Sequence, residues 1–161
     1  MAVDMFIKIG DIKGESADDK HKGEIDVLAW SWVMTQSGDA QKGGGAGAGR
    51  VDVEDLKLTK YIDRATPVLM RYCCTGKHIP QVLLTVRKAG GQPLEYLKIT
   101  MEDTIVAKIS TGASGGQDRL TEDVQLNFAK VHCDYVPQKA DGSGEAAIPM
   151  GYDIAAHKEI A

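Results

Sequence analysis

The sequence EIDVLAWSWV (24–33) is followed by KGGGAGAGR (42–50) and VDVEDLKL (51–58). Apolar and polar residues alternate in the first and third of these segments, a pattern typical of β-strands. Five glycines stand between Gly43 and Gly49, and glycine loses more backbone entropy on ordering than any other residue. The stretch therefore predicts two strands joined by a long extended loop, which needs contacts from outside the subunit to become ordered.

Period-two alternation recurs along the chain, for example at Val82–Val86 and Val124–Phe128. Apolar residues change from odd-numbered to even-numbered positions near Glu54-Asp55, and back to odd-numbered positions near Ala129-Lys130. Each change predicts a β-bulge, which bends a strand and helps a sheet to close. We expect about seven to nine strands. The predicted fold is mainly β: a compact antiparallel β-barrel of two packed sheets in a single domain over residues 1–161.

Two further segments extend this prediction. Odd-numbered apolar residues from Leu97 to Ile109 indicate one long bent strand or two consecutive strands. Residues 152–160 predict a final strand that closes the sheet.

One short helix is predicted to flank the barrel. Thr66 is a suitable N-cap, Pro67 suits the first helical position, and Gly76 suits a left-handed residue after the helix. Leu69 and Tyr72 have the spacing of a core-facing helix side.

The strand predicted over residues 24–33 has two different faces. Leu28, Trp30 and Trp32 share one parity, and large same-parity residues of this kind favour the core. The side chains of the opposite face are small and uncharged, which suggests a partner surface or the wall of a larger enclosed space. Its residues are Ala29, Ser31 and Val33.

Composition excludes several classes of protein. The net charge of −4 argues against a nucleic-acid partner, which requires clustered lysine and arginine. The N-terminus lacks a basic, then apolar, signal segment, and no apolar run approaches the length of a membrane span, so we expect a protein folded in the cytoplasm. The three cysteines cannot form a closed disulfide framework, and we expect buried free thiols.

We find no pattern typical of an enzyme. His132 and Cys133 are neighbours on a predicted strand, so their side chains point to opposite faces and cannot form a catalytic pair. The other histidines lack metal-ligand spacing, and the glycine-rich loop lacks the features of a phosphate-binding loop. We therefore expect neither catalysis nor a metal or other cofactor.

Three long segments resemble the haemolysin-coregulated protein (Hcp) family of type VI secretion systems. They are EIDVLAWSWVMTQSG (24–38), GGGAGAGRVDVEDLKLTKYID (43–63) and STGASGGQDRLTEDVQLNF (110–128). The resemblance extends over essentially the whole chain. It implies a compact β-barrel with a flanking helix, a hexameric ring around a wide channel, and stacking of rings into the inner tube of the secretion machine.

The resemblance also implies partners and sites. The contractile sheath would surround the tube, a spike protein would sit at its tip, and effector proteins would be carried in its lumen. The protein would itself be secreted, without a signal peptide. The loop from Gln36 to Val53 would reach the next ring. We expect Ala29, Ser31 and Val33 to contact effectors. The residues expected to mediate stacking are Gly43, Gly44, Gly45, Ala46, Gly47, Ala48, Gly49 and Arg50.

Other functions stay open at this point. The main alternative is a small-ligand-binding β-barrel, in which Trp30, Trp32 and Tyr96 would line an internal cavity. An enzyme is disfavoured because no catalytic constellation is present. A family member with its own effector activity would need an appended toxin domain, for which 161 residues leave no room.

Overall fold

The computed structural model describes residues 3–37, 49–90 and 93–161. These residues form ten β-strands and one α-helix. The first five strands are β1 (Val3–Ile9), β2 (Ile25–Ser31), β3 (Met34–Gln36), β4 (Val51–Val53) and β5 (Leu56–Tyr61). After them come α1 (Thr66–Thr75), β6 (Ile79–Lys88), β7 (Glu95–Thr111), β8 (Thr121–Tyr135), β9 (Ile148–Asp153) and β10 (Lys158–Glu159).

Six strands form a closed barrel. They are hydrogen-bonded in the order β8-β5-β2-β1-β6-β7, and β7 pairs again with β8 to complete the circle. Every pairing is antiparallel. The hairpin β9-β10 extends outward from β8, and β3 pairs with β4 in a separate ribbon. The predicted mainly β barrel with one short helix is thus confirmed, with additional strands outside the barrel.

Alternate residues of the barrel strands fill its interior. Ile7 and Ile9 of β1, Leu84 of β6, and Leu56 and Leu126 of the neighbouring strands are fully buried. Burying one such side chain stabilises the fold by about 1.5–3 kcal/mol relative to leaving it exposed. The inside of the barrel is therefore the hydrophobic core, and recognition has to take place on the outside.

The β7-β8 hairpin differs from its prediction. Its register is unbroken over residues 97–106 and shifts only between Val106 and Lys108. The bulge predicted near Ala129-Lys130 is therefore wrong. The residues of β8 that face the core nevertheless change from even-numbered to odd-numbered positions there, since Phe128 and Val131 are both buried.

This reversal has a structural cause. β8 pairs with β5 through residues 121–126 and with β9 through residues 130–135, so it leaves the barrel wall between these segments. β7 turns with it at Asp103, which has a positive φ of 53°. The buried parity of β7 consequently changes from Met101 to Thr104. The odd-parity prediction is therefore wrong at Ile105 and Ala107, whereas Ile109 again packs against the core.

The parity change at Glu54-Asp55 also has a different origin. It is not a bulge within one strand, because β4 ends at Val53 and β5 begins at Leu56. β4 belongs to the ribbon and β5 to the barrel, so the chain changes sheets at this point.

The C-terminal segment does not close the barrel. Residues 152–160 contain the end of β9, a turn and the short strand β10. β9 pairs with the outer part of β8, whereas closure is made by β7 and β8. The prediction of a closing strand is therefore wrong.

Helix α1 begins differently from the prediction and ends as predicted. The N-cap is Ala65, whose N–H donates to Asp63 Oδ1 at 2.9 Å. Thr66 does not cap the helix, because its hydroxyl donates to the buried Glu122 at 2.7 Å. At the other end, Gly76 adopts φ 64° and its N–H donates to the carbonyl of Tyr72, which confirms the left-handed C-terminal glycine.

The cysteine prediction is correct only in part. All three cysteines are free, as expected. Cys73 and Cys133 are half-buried, and burial raises the pKa of the Cys133 thiol. Cys74 lies on the exposed side of α1, so its predicted burial is wrong.

Candidate functional site

A shallow open groove of about 380 Å³ crosses the outer face of β2, β5, β8 and β7. The groove arises because inward-facing and outward-facing residues alternate along these strands. Leu56 and Leu58 of β5 are buried, as are Val124 and Leu126 of β8, so the residues between them point outward. Only the β2 border of this groove was predicted. The same alternation on β5 and β8 predicts their outward residues, but not which strands are neighbours.

The register aligns the groove residues in two rows across the four strands. The first row is Ser31, Lys57, Gln125 and Lys108. The second row is Ala29, Thr59, Asp123 and Ser110. Within the second row, the Thr59 hydroxyl donates to Asp123 Oδ1 at 2.7 Å. The groove is therefore polar, with small side chains along its β2 border.

The groove contains two of the three residues predicted to contact cargo. Ala29 and Ser31 are exposed and line it. Val33 is also exposed, but it lies beyond the end of β2 and outside the groove lining. Its carbonyl instead accepts the N–H of Glu54 at 3.0 Å, next to the β3-β4 ribbon.

The core face of β2 departs from the predicted alternation. The register between β2 and β5 shifts between Val27 and Ala29, so a bulge interrupts the strand at Leu28. Leu28 is 39% exposed, and its predicted place in the core is wrong. Trp30 and Trp32 do pack against the core, although both are only partly buried.

The described ends of the predicted extended loop pair with each other in the β3-β4 ribbon. Met34 faces Val53 and Gln36 faces Val51 in the β3-β4 ribbon. Gly49 and Arg50 lead into β4, with Arg50 exposed. The other residues predicted to mediate stacking lie outside the described residues: Gly43, Gly44, Gly45, Ala46, Gly47 and Ala48.

A second, apolar groove of about 190 Å³ lies between the ribbon and the β8-β9 pair. Its walls include Trp32, Met34, Val53 and Met150. Trp32 is held in place because its Nε1 donates to the Glu54 carbonyl at 3.0 Å.

The three aromatic residues of the ligand-binding alternative do not meet in one cavity. Trp30 borders the polar groove and Trp32 the apolar groove. Tyr96 packs edge-to-face on Tyr135, with ring centroids 6.4 Å apart. The small-ligand hypothesis therefore lacks the site on which it depended.

Comparison with known proteins agrees with this geometry. The family model described as "Type VI secretion system effector, Hcp" matches residues 6–135. The chain belongs to the Hcp family. It is 61% identical to Protein hcp1 of Pseudomonas aeruginosa over 156 residues, which cover 96% of each chain. It is thus a protein of the type VI secretion system.

Two solved structures share the fold. The crystal structure of Hcp1 from Salmonella typhimurium has a TM-score of 0.82 and 47% identity, covering 99% of this chain and 100% of that one. A structure titled "Structure of a type six secretion system protein" has a TM-score of 0.92 and 29% identity, again covering 99% and 100%.

Buried charges in this Hcp-family chain lie at structural positions rather than in the grooves. Lys60 is fully buried, and its Nζ lies 2.5 Å from Glu122 Oε2 and 2.9 Å from Asp63 Oδ1. Thr66 and Thr111 donate further hydrogen bonds to Glu122. The network joins β5, β8 and the start of α1.

A second charged cluster attaches the loop between β1 and β2 to the barrel. His21 Nδ1 lies 2.9 Å from Glu24 Oε2, and its Nε2 lies 2.7 Å from Glu95 Oε1. Arg87 donates to both carboxylate oxygens of Asp18, at 3.0 and 2.7 Å. These hydrogen bonds lower the pKa of Asp18 to about 2.

The described residues bring no three His, Cys, Asp or Glu side chains together in a group that could hold a metal ion. Within the same ranges, no helix combines the length and apolarity needed to cross a membrane.

Proposed function

We propose that this Hcp-family chain assembles into a hexameric ring whose channel is lined by the polar groove of β2, β5, β8 and β7. In this proposal, rings stack into the inner tube of the secretion machine, inside a contractile sheath and below a spike protein. The tube carries effector proteins and is expelled with them. The role is structural rather than enzymatic.

One observation carries the proposal. The barrel interior is filled by buried side chains such as Ile7 and Leu84, so the described barrel leaves no internal space for a protein cargo. A wide, polar outer face is available instead, with small residues at Ala29 and Ser31. Copies related by a closed rotation would enclose such a face in a channel.

The ribbon supports the stacking part of the proposal. β3 and β4 pair in a ribbon that is separate from the barrel sheet, and the glycine-rich segment connects these two strands in the sequence. A loop that becomes ordered only on contact gives modest affinity, because its ordering entropy offsets part of the contact energy. Rings joined in this way would stack on a template and separate later.

Electron microscopy of the purified protein tests ring formation. Negative-stain images should show annuli with an open centre, and analytical ultracentrifugation should give the mass of a hexamer. A protein that stays monomeric at every concentration would contradict the proposal.

Substitution in the groove tests cargo contact. We expect S31E or S31W to leave the ring mass unchanged and to lower effector levels in producing cells, because the larger side chain fills the channel wall. S114E, in the exposed turn between β7 and β8, is the matched control. Equal effector levels in all variants would remove Ser31 from the contact surface.

Deletion of residues 43–49 tests the role of the loop. We expect the deletion to preserve ring mass and to abolish tube growth and secretion, because the barrel and the ribbon stem are retained. Monomers would instead place the loop in the contact between neighbouring subunits of one ring.

A further inference from the structure

The first row of the polar groove carries an unusual pair of charges. Lys57 and Lys108 are both exposed and lie on either side of Gln125 in register. Neighbouring strands are about 4.8 Å apart, so the backbones of the two lysines are about 10 Å apart. Ser31 completes the row on β2.

Neither lysine is neutralised by the described part of the chain. The ion pairs among the described residues include neither Lys57 nor Lys108. Asp123 is the single carboxylate among the residues that line the groove, and its Oδ1 already accepts the Thr59 hydroxyl at 2.7 Å. A chain of net charge −4 thus presents a locally cationic row on this face.

We propose that the row Ser31–Lys57–Gln125–Lys108 binds acidic segments of protein cargo. This inference rests on the proposed function, in which the groove faces the channel, and it adds the chemical class of cargo that the groove selects. Each lysine pairs with one carboxylate. The hydroxyl of Ser31 and the amide of Gln125 supply hydrogen bonds to the backbone or side chains between them.

The spacing suits a polypeptide. In an extended segment, carboxylates that share a face are two or four residues apart, which is about 7 or 13 Å, and the flexible lysine side chains span this difference. On a helix, residues seven apart along one face are also about 10 Å apart. Either arrangement reaches both lysines at once. The shallow, open form of the groove admits segments of varied sequence, provided that they carry this charge.

Nucleic acid fits the same face less well. Non-specific binding of a single strand needs a continuous basic groove with exposed aromatic rings on which bases stack. Here two lysines are separated by a neutral residue, and Trp30 is partly buried against the core. The observations therefore favour an acidic peptide.

Fluorescence anisotropy with a labelled octaglutamate peptide tests the proposal on the full chain at low salt. We expect wild-type protein to bind and K57Q/K108Q to bind about threefold to tenfold more weakly, the range for two exposed ion pairs. Affinity should also fall as salt is added, because exposed charges are screened. K13Q/K139Q changes the same charge at two exposed lysines outside the groove and should bind like wild type.

Two further variants test whether the charge of the groove determines which peptide binds. D123N removes the carboxylate that faces the groove, so it should tighten octaglutamate binding. K57E/K108E should lose octaglutamate and gain affinity for octalysine. All three sites are exposed, and unchanged melting temperatures would verify that the variants fold.

Three outcomes would overturn the proposal: no octaglutamate binding by wild type, equal binding by K57Q/K108Q and K13Q/K139Q, or tighter binding of an octathymidine strand than of octaglutamate. Ring mass is measured on each sample. A missing ring in wild type contradicts the proposed function, whereas an intact ring with charge-independent binding contradicts only the acidic-cargo proposal.

Discussion

At the scale of single residues, the alternation of β5 places two lysines in opposite environments. Lys57 is exposed in the groove, whereas Lys60 is fully buried beside Glu122 and Asp63. A buried charge is tolerated only when it is paired and hydrogen-bonded. The Lys60 network therefore makes the attachment of α1 to β5 and β8 depend on a complete set of partners.

Removing the buried cation should be strongly destabilising. We expect K60M to lower the free energy of unfolding by about 3–5 kcal/mol, because Glu122 is left buried without its partner. The double variant K60M/E122L should recover part of this loss, since it removes the Lys60 and Glu122 charges and leaves only Asp63 without its cation. Urea denaturation at a fixed protein concentration measures both effects. K57M is the matched control and should change stability by less than about 0.5 kcal/mol.

Asp18 should make stability depend on acid pH. Its pKa falls from 3.8 to about 2 through its hydrogen bonds with Arg87, so the folded state prefers the carboxylate. This contribution is present above pH 3.8 and is lost as the pH falls through about 2. D18N should therefore be less stable than wild type at neutral pH, and the difference should disappear at the acid end of this window.

Thermal denaturation across that pH range measures the effect. D19N, at the exposed neighbouring position, should keep the wild-type profile. A stability difference between D18N and wild type that does not change with pH would show that Asp18 acts through packing rather than charge.

At the scale of elements, each end of α1 is fixed by a different kind of interaction. Its start depends on side chains distant in sequence, since Thr66 bonds to Glu122. Its end depends on a local conformation, the left-handed backbone of Gly76. A side chain is disfavoured in that conformation whatever space surrounds it.

We expect G76A to lower stability by about 1 kcal/mol, which corresponds to a melting temperature about 3 °C lower for a chain of this size. G112A is the matched control, because Gly112 does not have a positive φ and an added Cβ would meet no atom within 4 Å. Differential scanning fluorimetry compares the two. Equal melting temperatures would mean that the helix end relaxes to accept the side chain.

Local signals such as Gly76 are the part of the fold that sequence predicts well. The barrel strands and the outward residues Ala29 and Ser31 also follow from alternation alone. The errors in strand geometry have one physical origin. A parity change looks the same in sequence whether it marks a bulge, as at Leu28, a change of sheet, as at Glu54-Asp55, or a strand leaving the barrel wall, as near Ala129-Lys130. Only the pairing of distant strands distinguishes these cases.

The groove illustrates the same limit. Lys57 and Lys108 are 51 positions apart in the sequence, and they share a row only because β8 lies between their strands. The bulge between Val106 and Lys108 is also required, since it turns Lys108 outward. Neither relation could be predicted from either segment alone.

At the scale of the whole molecule, the β8-β9 edge exposes large apolar side chains. Ile148 is 61% exposed, Tyr135 47% and Met150 41%. Ile148 and Tyr135 face each other in register, so they form a continuous patch. Patches of this kind on a folded subunit indicate contact with a partner.

We expect the double substitution I148E/M150E to shift the sedimenting species from a ring to a monomer, because two charges would be buried in the contact between subunits. A113E/S114E adds the same charge in the exposed turn between β7 and β8 and should leave the ring intact. Circular dichroism establishes that the monomer is folded. An unchanged ring mass for I148E/M150E would place the lateral contact elsewhere on the barrel.

The alternation within β5 and β8 has a practical consequence. Leu56 and Leu58 are packed in the core, whereas Lys57 between them is exposed. Mutations at the outward positions can thus accumulate without endangering folding. If the groove lines the channel as proposed, a library that varies only these sites would yield subunits of unaltered architecture with different cargo preferences.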